Sequence, residues 1–253
     1  MDDVSVLPGA EPFSASGGPA GALVLHGFTG SPQSMRGLAE AFAAAGFAVE
    51  LPRLPGHGTT VEDMAATSWS EWSSAAEAAY EKLRSSCDKV VVAGLSMGGT
   101  LTCWLASRHH EIAGIVVING ALQPDDGTLL KMVDDALAGG VVVMPAVGND
   151  IAAEGVTELA YDAVPVAGTR ELLVAIGDLA PRLREIECPV LIMNSPQDHV
   201  VAPAASDYLA AHVSGPVERV SLERSFHVAT LDLDKDIIEE KAVAFARQVT
   251  ETR

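Results

Sequence analysis

Ser96 lies in Gly94-Leu95-Ser96-Met97-Gly98, directly after the apolar run Lys89-Val90-Val91-Val92-Ala93 and ahead of a helical pattern reaching about His109. A strand that passes into a helix through a serine flanked two residues away by glycines must turn sharply, and the turn lifts the hydroxyl above the sheet. A Cβ at Gly94 or Gly98 would collide with neighbouring backbone, so both positions call for glycine. The serine then stands at a helix N-terminus, whose dipole favours developing negative charge. Ser96 is therefore the candidate nucleophile.

Strand-like and helix-like segments alternate along most of the chain, the signature of a mostly parallel sheet with helices on both faces. Strands are expected at 22–26, 48–51, 89–93, 115–118, 189–194 and 217–222. Helices are expected at 32–45, 68–86, 97–109, 202–212 and 236–249. Pro32 suits a first helical turn and Gly46 a stop, and Ser68 with Glu71 forms a capping box. The 253 residues, 48% apolar, suffice for one sizeable domain. A net charge of −18 argues against nucleic acid as a partner and against electrostatic docking on anionic lipid. Cys87, Cys103 and Cys188 show no metal or redox spacing. Their reading as reduced packing thiols, with an acidic start Met1-Asp2-Asp3-Val4 that lacks a long apolar run, points to a cytoplasmic protein.

Residues 121–185 break the alternation. Gly139 to Asn149 carries no charge, and an insertion at this point would cover the carboxyl ends of the strands, the edge at which open α/β sheets bind ligands. The expected organisation is a core of residues 1–120 and 186–253 with a cap, or lid, over 121–185. So apolar a flap on so acidic a chain suits contact with an apolar substrate, and it leaves room for transient contact with a membrane or micelle.

A serine hydroxyl needs a base, and the base needs a carboxylate to fix its tautomer. Of seven histidines, His227 follows the last strand and would emerge at the same edge as Ser96. Asp198 follows the strand ending near Asn194. His26 is expected to brace its loop, His57 to hydrogen-bond within its own, and His199 to be too local to reach Ser96. Asp232 and Asp234 fall where they would cap the last helix. The backbone amides of Met97 and Phe28 suit an oxyanion hole. This chemistry calls for no metal or organic cofactor.

These residues resemble the serine hydrolases of the α/β-hydrolase superfamily, and more closely the bacterial monoacylglycerol lipases and small carboxylesterases. The resemblance rests on His26-Gly27-Phe28-Thr29-Gly30-Ser31-Pro32, Leu51-Pro52-Arg53 with Gly56-His57-Gly58, the Ser96 turn, Asp198-His199-Val200-Val201, and Phe226-His227-Val228-Ala229-Thr230-Leu231-Asp232. It implies the α/β-hydrolase fold with a cap, a narrow apolar tunnel for one acyl chain, and a polar pocket for glycerol. It also implies that Glu158, just before Leu159-Ala160-Tyr161, binds glycerol hydroxyls, and that Val147 is the apolar cap position lining the pocket. The expected substrate is a monoacylglycerol. A general carboxylesterase, a C–C bond hydrolase and a non-catalytic binding protein on the same fold stay open, as does the oligomeric state.

Overall fold

The computed structural model describes residues 4–251; Met1, Asp2 and Asp3 of the acidic start, with residues 252 and 253, lie outside it. A short edge strand β1 (Phe13–Ala15) precedes β2 (Ala20–Leu25), a 3-10 turn at Pro32–Met35, α1 (Arg36–Ala44) and β3 (Ala48–Leu51). Then come α2 (Val61–Ala65), α3 (Trp69–Arg84), β4 (Lys89–Leu95), α4 (Met97–Ala106) and β5 (Gly114–Ile118). The segment that breaks the alternation holds α5 (Thr128–Ala138), β6 (Val143–Pro145), β7 (Ala163–Pro165) and α6 (Val166–Leu179). The chain ends with β8 (Val190–Asn194), α7 (Ala204–His212), β9 (Val217–Ser221) and α8 (Lys235–Glu251).

Seven strands form one sheet in the order β1-β3-β2-β4-β5-β8-β9, all parallel except the antiparallel edge pair β1 and β3. The central strands are continuous apolar runs because both of their faces are covered. Leu23, Leu25, Val90, Val92, Ile115 and Val117 pack with Trp72 and Tyr80 of α3 and Leu101 of α4. Their strand neighbours Ala22, Val24, Val91, Ala93, Val116 and Ile118 pack with Leu38 and Phe42 of α1 and Ile238 and Phe245 of α8. Each large apolar side chain removed from water in these layers contributes about 1.5–3 kcal/mol. The outer edge strand β9 is mostly exposed and carries Glu218 and Arg219, charges that discourage pairing with another chain.

The helix boundaries fall close to those expected. α3 has the Ser68–Glu71 capping box, and Gly46 adopts φ +95° after α1, a conformation that costs glycine little. Asp232 and Asp234 correct the expectation: among the described residues neither side chain accepts from an amide of α8. The Asp234 carboxylate accepts from the Arg224 and Ser225 side chains and the Arg224 amide. Asp232 accepts from the amides of Ala152, Ala153, Phe226 and Leu233. Both carboxylates face back onto the loop carrying His227, where buried N–H groups need acceptors more than the exposed start of α8 does.

Candidate active site

Ser96 occupies the turn between β4 and α4 with φ +55° and ψ −117°. A non-glycine residue in such a region stores about 1–3 kcal/mol of strain, and the surroundings enforce it. The Ser96 amide donates to Ile118 O at 3.0 Å, and Ser96 O accepts from the Gly99 and Thr100 amides. A Cβ on Gly94 would stand 2.1 Å from Gly98 O, and one on Gly98 2.1 Å from Leu25 O. The close approach that the sequence pattern requires is thus present, and it presses the turn against β2.

Asp198 follows β8 and His227 follows β9, on loops at the carboxyl ends of adjacent strands. His227 Nδ1 lies 2.8 Å from Asp198 Oδ2, and both side chains are almost fully buried. Asp198 Oδ1 accepts from the Val200 and Val201 amides, each at 2.8 Å. A carboxylate so engaged acts as acceptor, which places the proton on Nδ1 and leaves the Nε2 lone pair free. Ser96 and His227 line one cavity of about 370 Å³ together with Phe28, Val147, Glu158 and Leu172. Only 9% of Ser96 is exposed, so a reacting ester there would be largely shielded from water.

Met97 is the first residue of α4 with its side chain buried, and Phe28 follows the end of β2. Among the described residues neither backbone N–H carries a hydrogen bond. The Phe28 ring packs edge-on against Trp72 at 5.7 Å and against His57 at 6.4 Å. His26 braces the adjoining loop as expected: its Nε2 accepts from the Leu54 amide at 3.1 Å. His57 Nδ1 bonds Pro55 O at 2.9 Å, within its own loop. His199 is exposed and pairs with Asp150 at 2.8 Å, away from Ser96.

Glu158 lies in irregular backbone and lines the same cavity. Its Oε1 sits against Gly30, 2.6 Å from where a Cβ would be. Burial pushes the Glu158 carboxyl above its ordinary value, opposed by its electrostatic interaction with His227 and a hydrogen bond with Ser34. Val147 also lines the cavity, yet it is 75% exposed, so it stands at the rim. Residues 149–161 are tied to the core loops: Tyr161 OH donates to Gly56 O at 2.7 Å, and the Leu159 amide donates to Gln33 Oε1 at 3.0 Å.

Two residues at the site carry more than the sequence reading gave them. Asn119 follows β5 in a left-handed conformation, φ +44°. Its Nδ2 donates to Ser195 Oγ, Phe226 O and His227 O, and its Oδ1 accepts from the Ser195 amide. Asp150 accepts from the His227 amide at 3.0 Å. The signals were a lone amide side chain ending an apolar strand, Ile118-Asn119-Gly120, and the first charge after the uncharged run 139–149. One group of described residues could ligate a metal ion, Glu77, Glu81 and His109. None of the three lines the cavity.

A family model described as serine aminopeptidase, S33 (Hydrolase_4) matches residues 19–234. The chain belongs to this family. Among its relatives, the thermostable monoacylglycerol lipase of Bacillus sp. (strain H-257) is 43% identical over 244 residues, 95% of each chain. The carboxylesterase of Bacillus subtilis (strain 168) is 23% identical over 241 residues, 94% of this chain and 97% of its own. A solved structure from work on the metagenome-derived lipolytic enzymes LipS and LipT superimposes with a TM-score of 0.90 at 45% identity, covering 96% of this chain and all of that one. The monoacylglycerol lipase of Paleococcus ferrophilus, at 20% identity and a TM-score of 0.75 over 96% of this chain and all of its own, shares the fold. The fold of the family member described here is that of the α/β-hydrolases, with a mostly parallel sheet between helices.

Proposed function

We propose that this protein is a serine hydrolase that cleaves a monoacylglycerol to glycerol and a free fatty acid. The observation that carries the reading is the strained Ser96 opening onto the same buried cavity as His227, which is itself paired with Asp198. Similarity to the Bacillus monoacylglycerol lipase supports the substrate class. His227 Nε2 takes the proton of Ser96 as Oγ attacks the ester carbonyl. The negative charge forming on the carbonyl oxygen meets the Phe28 and Met97 amides. His227 then protonates the departing glycerol oxygen, leaving the acyl group on Ser96. A water deprotonated by the same imidazole attacks the acyl-enzyme and releases the fatty acid.

Residues 121–185 act in this reading as the cap over a core of the remaining chain, with Val147 at the entrance and Glu158 receiving glycerol hydroxyls. Met132 (63% exposed), Val142 (65% exposed) and Val147 are exposed apolar side chains of this segment, which suits passing contact with a micelle or bilayer from which substrate is drawn. Among the described residues no helix is long and apolar enough to cross a membrane. The three free cysteines suit a reducing, cytoplasmic setting.

The test is steady-state hydrolysis of mono-, di- and trilaurin beside ethyl laurate, with Ser96→Ala as the blank. A strong preference for monolaurin is expected. Residual turnover in Ser96→Ala should be about 10³–10⁴ over water, as when binding and an oxyanion hole act alone. Near-normal activity in that variant refutes the nucleophile. Equal rates on glyceryl and ethyl esters would make the protein a general carboxylesterase.

A further inference from the structure

Asp150 stands between β6 and β7, and only 11% of its side chain is exposed. Its Oδ2 accepts from two backbone amides on different loops: His227 at 3.0 Å and His199 at 3.1 Å. Its Oδ1 lies 2.8 Å from His199 Nδ1, and its carbonyl accepts from the Val228 amide at 3.1 Å. His199 follows Asp198 in the chain, so one carboxylate grips the neighbour of the proposed acid and the backbone of the proposed base. Asp232 seats the same segment from below, accepting from the Ala152 and Ala153 amides and from the Phe226 amide.

We propose that Asp150 is a positioning residue: it fixes the Asp198 loop and the His227 loop relative to one another, so the pair is aligned only while the segment following β6 is seated on both. This rests on the reading of Ser96, Asp198 and His227 as the reacting groups. The core fixes β8 and β9 and takes in Val228 and Ala229 beside His227, but Asp198 lies several residues beyond β8, and polar bonds to Asp150 tie its loop to the His227 loop. Charge-assisted hydrogen bonds from one buried acceptor supply what packing does not. Misplacing a reacting group by about 1 Å can cost about 10²-fold in rate, so loosening the clamp lowers turnover.

The experiment uses the full chain with Asp150→Ala, Asp150→Asn and Asp150→Glu, assayed on p-nitrophenyl acetate and monolaurin. A fluorophosphonate titration counts competent serines, and melting is followed in parallel. Asp150→Ala should lower kcat on both esters by about 10- to 100-fold with KM within about threefold. Asp150→Asn, whose carbonyl can accept from both amides, should recover most of that loss. Asp150→Glu keeps the charge but moves the oxygens by a methylene, and should lose kcat while melting near the parent. This variant carries the test if the alanine protein does not fold. Unchanged kcat per titrated serine in Asp150→Glu would overturn the proposal. So would a loss confined to monolaurin KM, which would make Asp150 a wall of the channel. Turnover surviving in Ser96→Ala would instead sink the nucleophile assignment, whatever the Asp150 variants do.

Discussion

Acidification should unseat the loop behind the site through two buried histidines, and the size of the effect follows from their surroundings. His26 and His57 are fully buried, with ring centroids 5.0 Å apart. Burial, chiefly, pulls His57 down to about 4, with Arg53 adding to it against hydrogen bonds with Pro55 and Leu54. Burial likewise pulls His26 to about 3, with His57 and Arg53 adding to it against the Gly27 hydrogen bond. A histidine depressed below its unfolded value of 6.5 stays neutral in the folded protein while the unfolded chain takes up a proton. Stability is then full above the unfolded value and falls as pH drops toward the folded one. At about pH 5 the solution lies about 1.5 units below the unfolded value, and at about 1.4 kcal/mol per unit His57 alone costs about 2 kcal/mol. Protonating His26 at Nε2 would also end its acceptance of the Leu54 amide, the bond that braces the loop leading to Phe28. The perturbation that isolates the term is His57→Phe. The ring stays among Phe28, Trp72 and His26. The change removes a buried Nε2 that has no partner, and it costs the Nδ1 bond to Pro55 O. Urea unfolding at about pH 7.5 and about pH 5 should show the parent losing about 2 kcal/mol more than the variant, since other titrating groups are common to both. Equal losses in the two proteins would refute the account of His57 as a buried neutral base.

Asn119→Ala should destabilise by about 2–4 kcal/mol, because it strands the carbonyls of Phe226 and His227 and the Ser195 amide; an unfolding midpoint near the parent's would count against that role. Glu158→Gln should cut monolaurin turnover more than about tenfold while leaving ethyl laurate within about threefold, and equal losses would remove Glu158 from the glycerol pocket. Since burial raises the Glu158 carboxyl, the folded state holds its proton above the unfolded value of 4.5. Stability therefore declines as pH rises through that window, and melting curves of Glu158→Gln should gain on the parent toward neutral pH. Gly98→Ala should yield little folded protein, because its Cβ would meet Leu25 O at 2.1 Å; a soluble variant with parental melting would show that the turn can relax.

The sheet was legible because its central strands are short apolar runs bounded by turn residues, and the alternation with helices dictates parallel order. The Ser96 turn was legible because steric necessity writes it locally, in two glycines and a preceding strand. β1, β6 and β7 were not, since three-residue strands have too little periodicity to stand above irregular chain. The destinations of Asp232 and Asp234 were hidden for a different reason. A carboxylate before a helix reads as a cap when only near neighbours are known. Asp234 turns back to Arg224 and Ser225, ten and nine residues earlier, and two of the amides that Asp232 serves, Ala152 and Ala153, are about eighty residues away in sequence. Asp150 and Asn119 share that property, as every hydrogen bond that matters for them is long-range.

Two kinds of support therefore meet at this site, and they should fail differently. Ser96 is held by close backbone contact: its strained turn is pressed against β2 and bonded to β5, so a Cβ at Gly94 or Gly98 removes folded protein along with activity. His227 is held by the packing of its neighbours Val228 and Ala229 and by polar bonds to its backbone from Asn119 and Asp150, and the Asp198 loop is held by the bonds of Asp150 to His199. A loosened clamp leaves the core intact and spoils only the distance over which a proton must move. Folded but slow variants should thus cluster at 150 and 232, and poorly folded ones at 94 and 98. The division follows from what holds each group: backbone contact too close for a Cβ at the nucleophile turn, and hydrogen bonds between loops at the acid and the base.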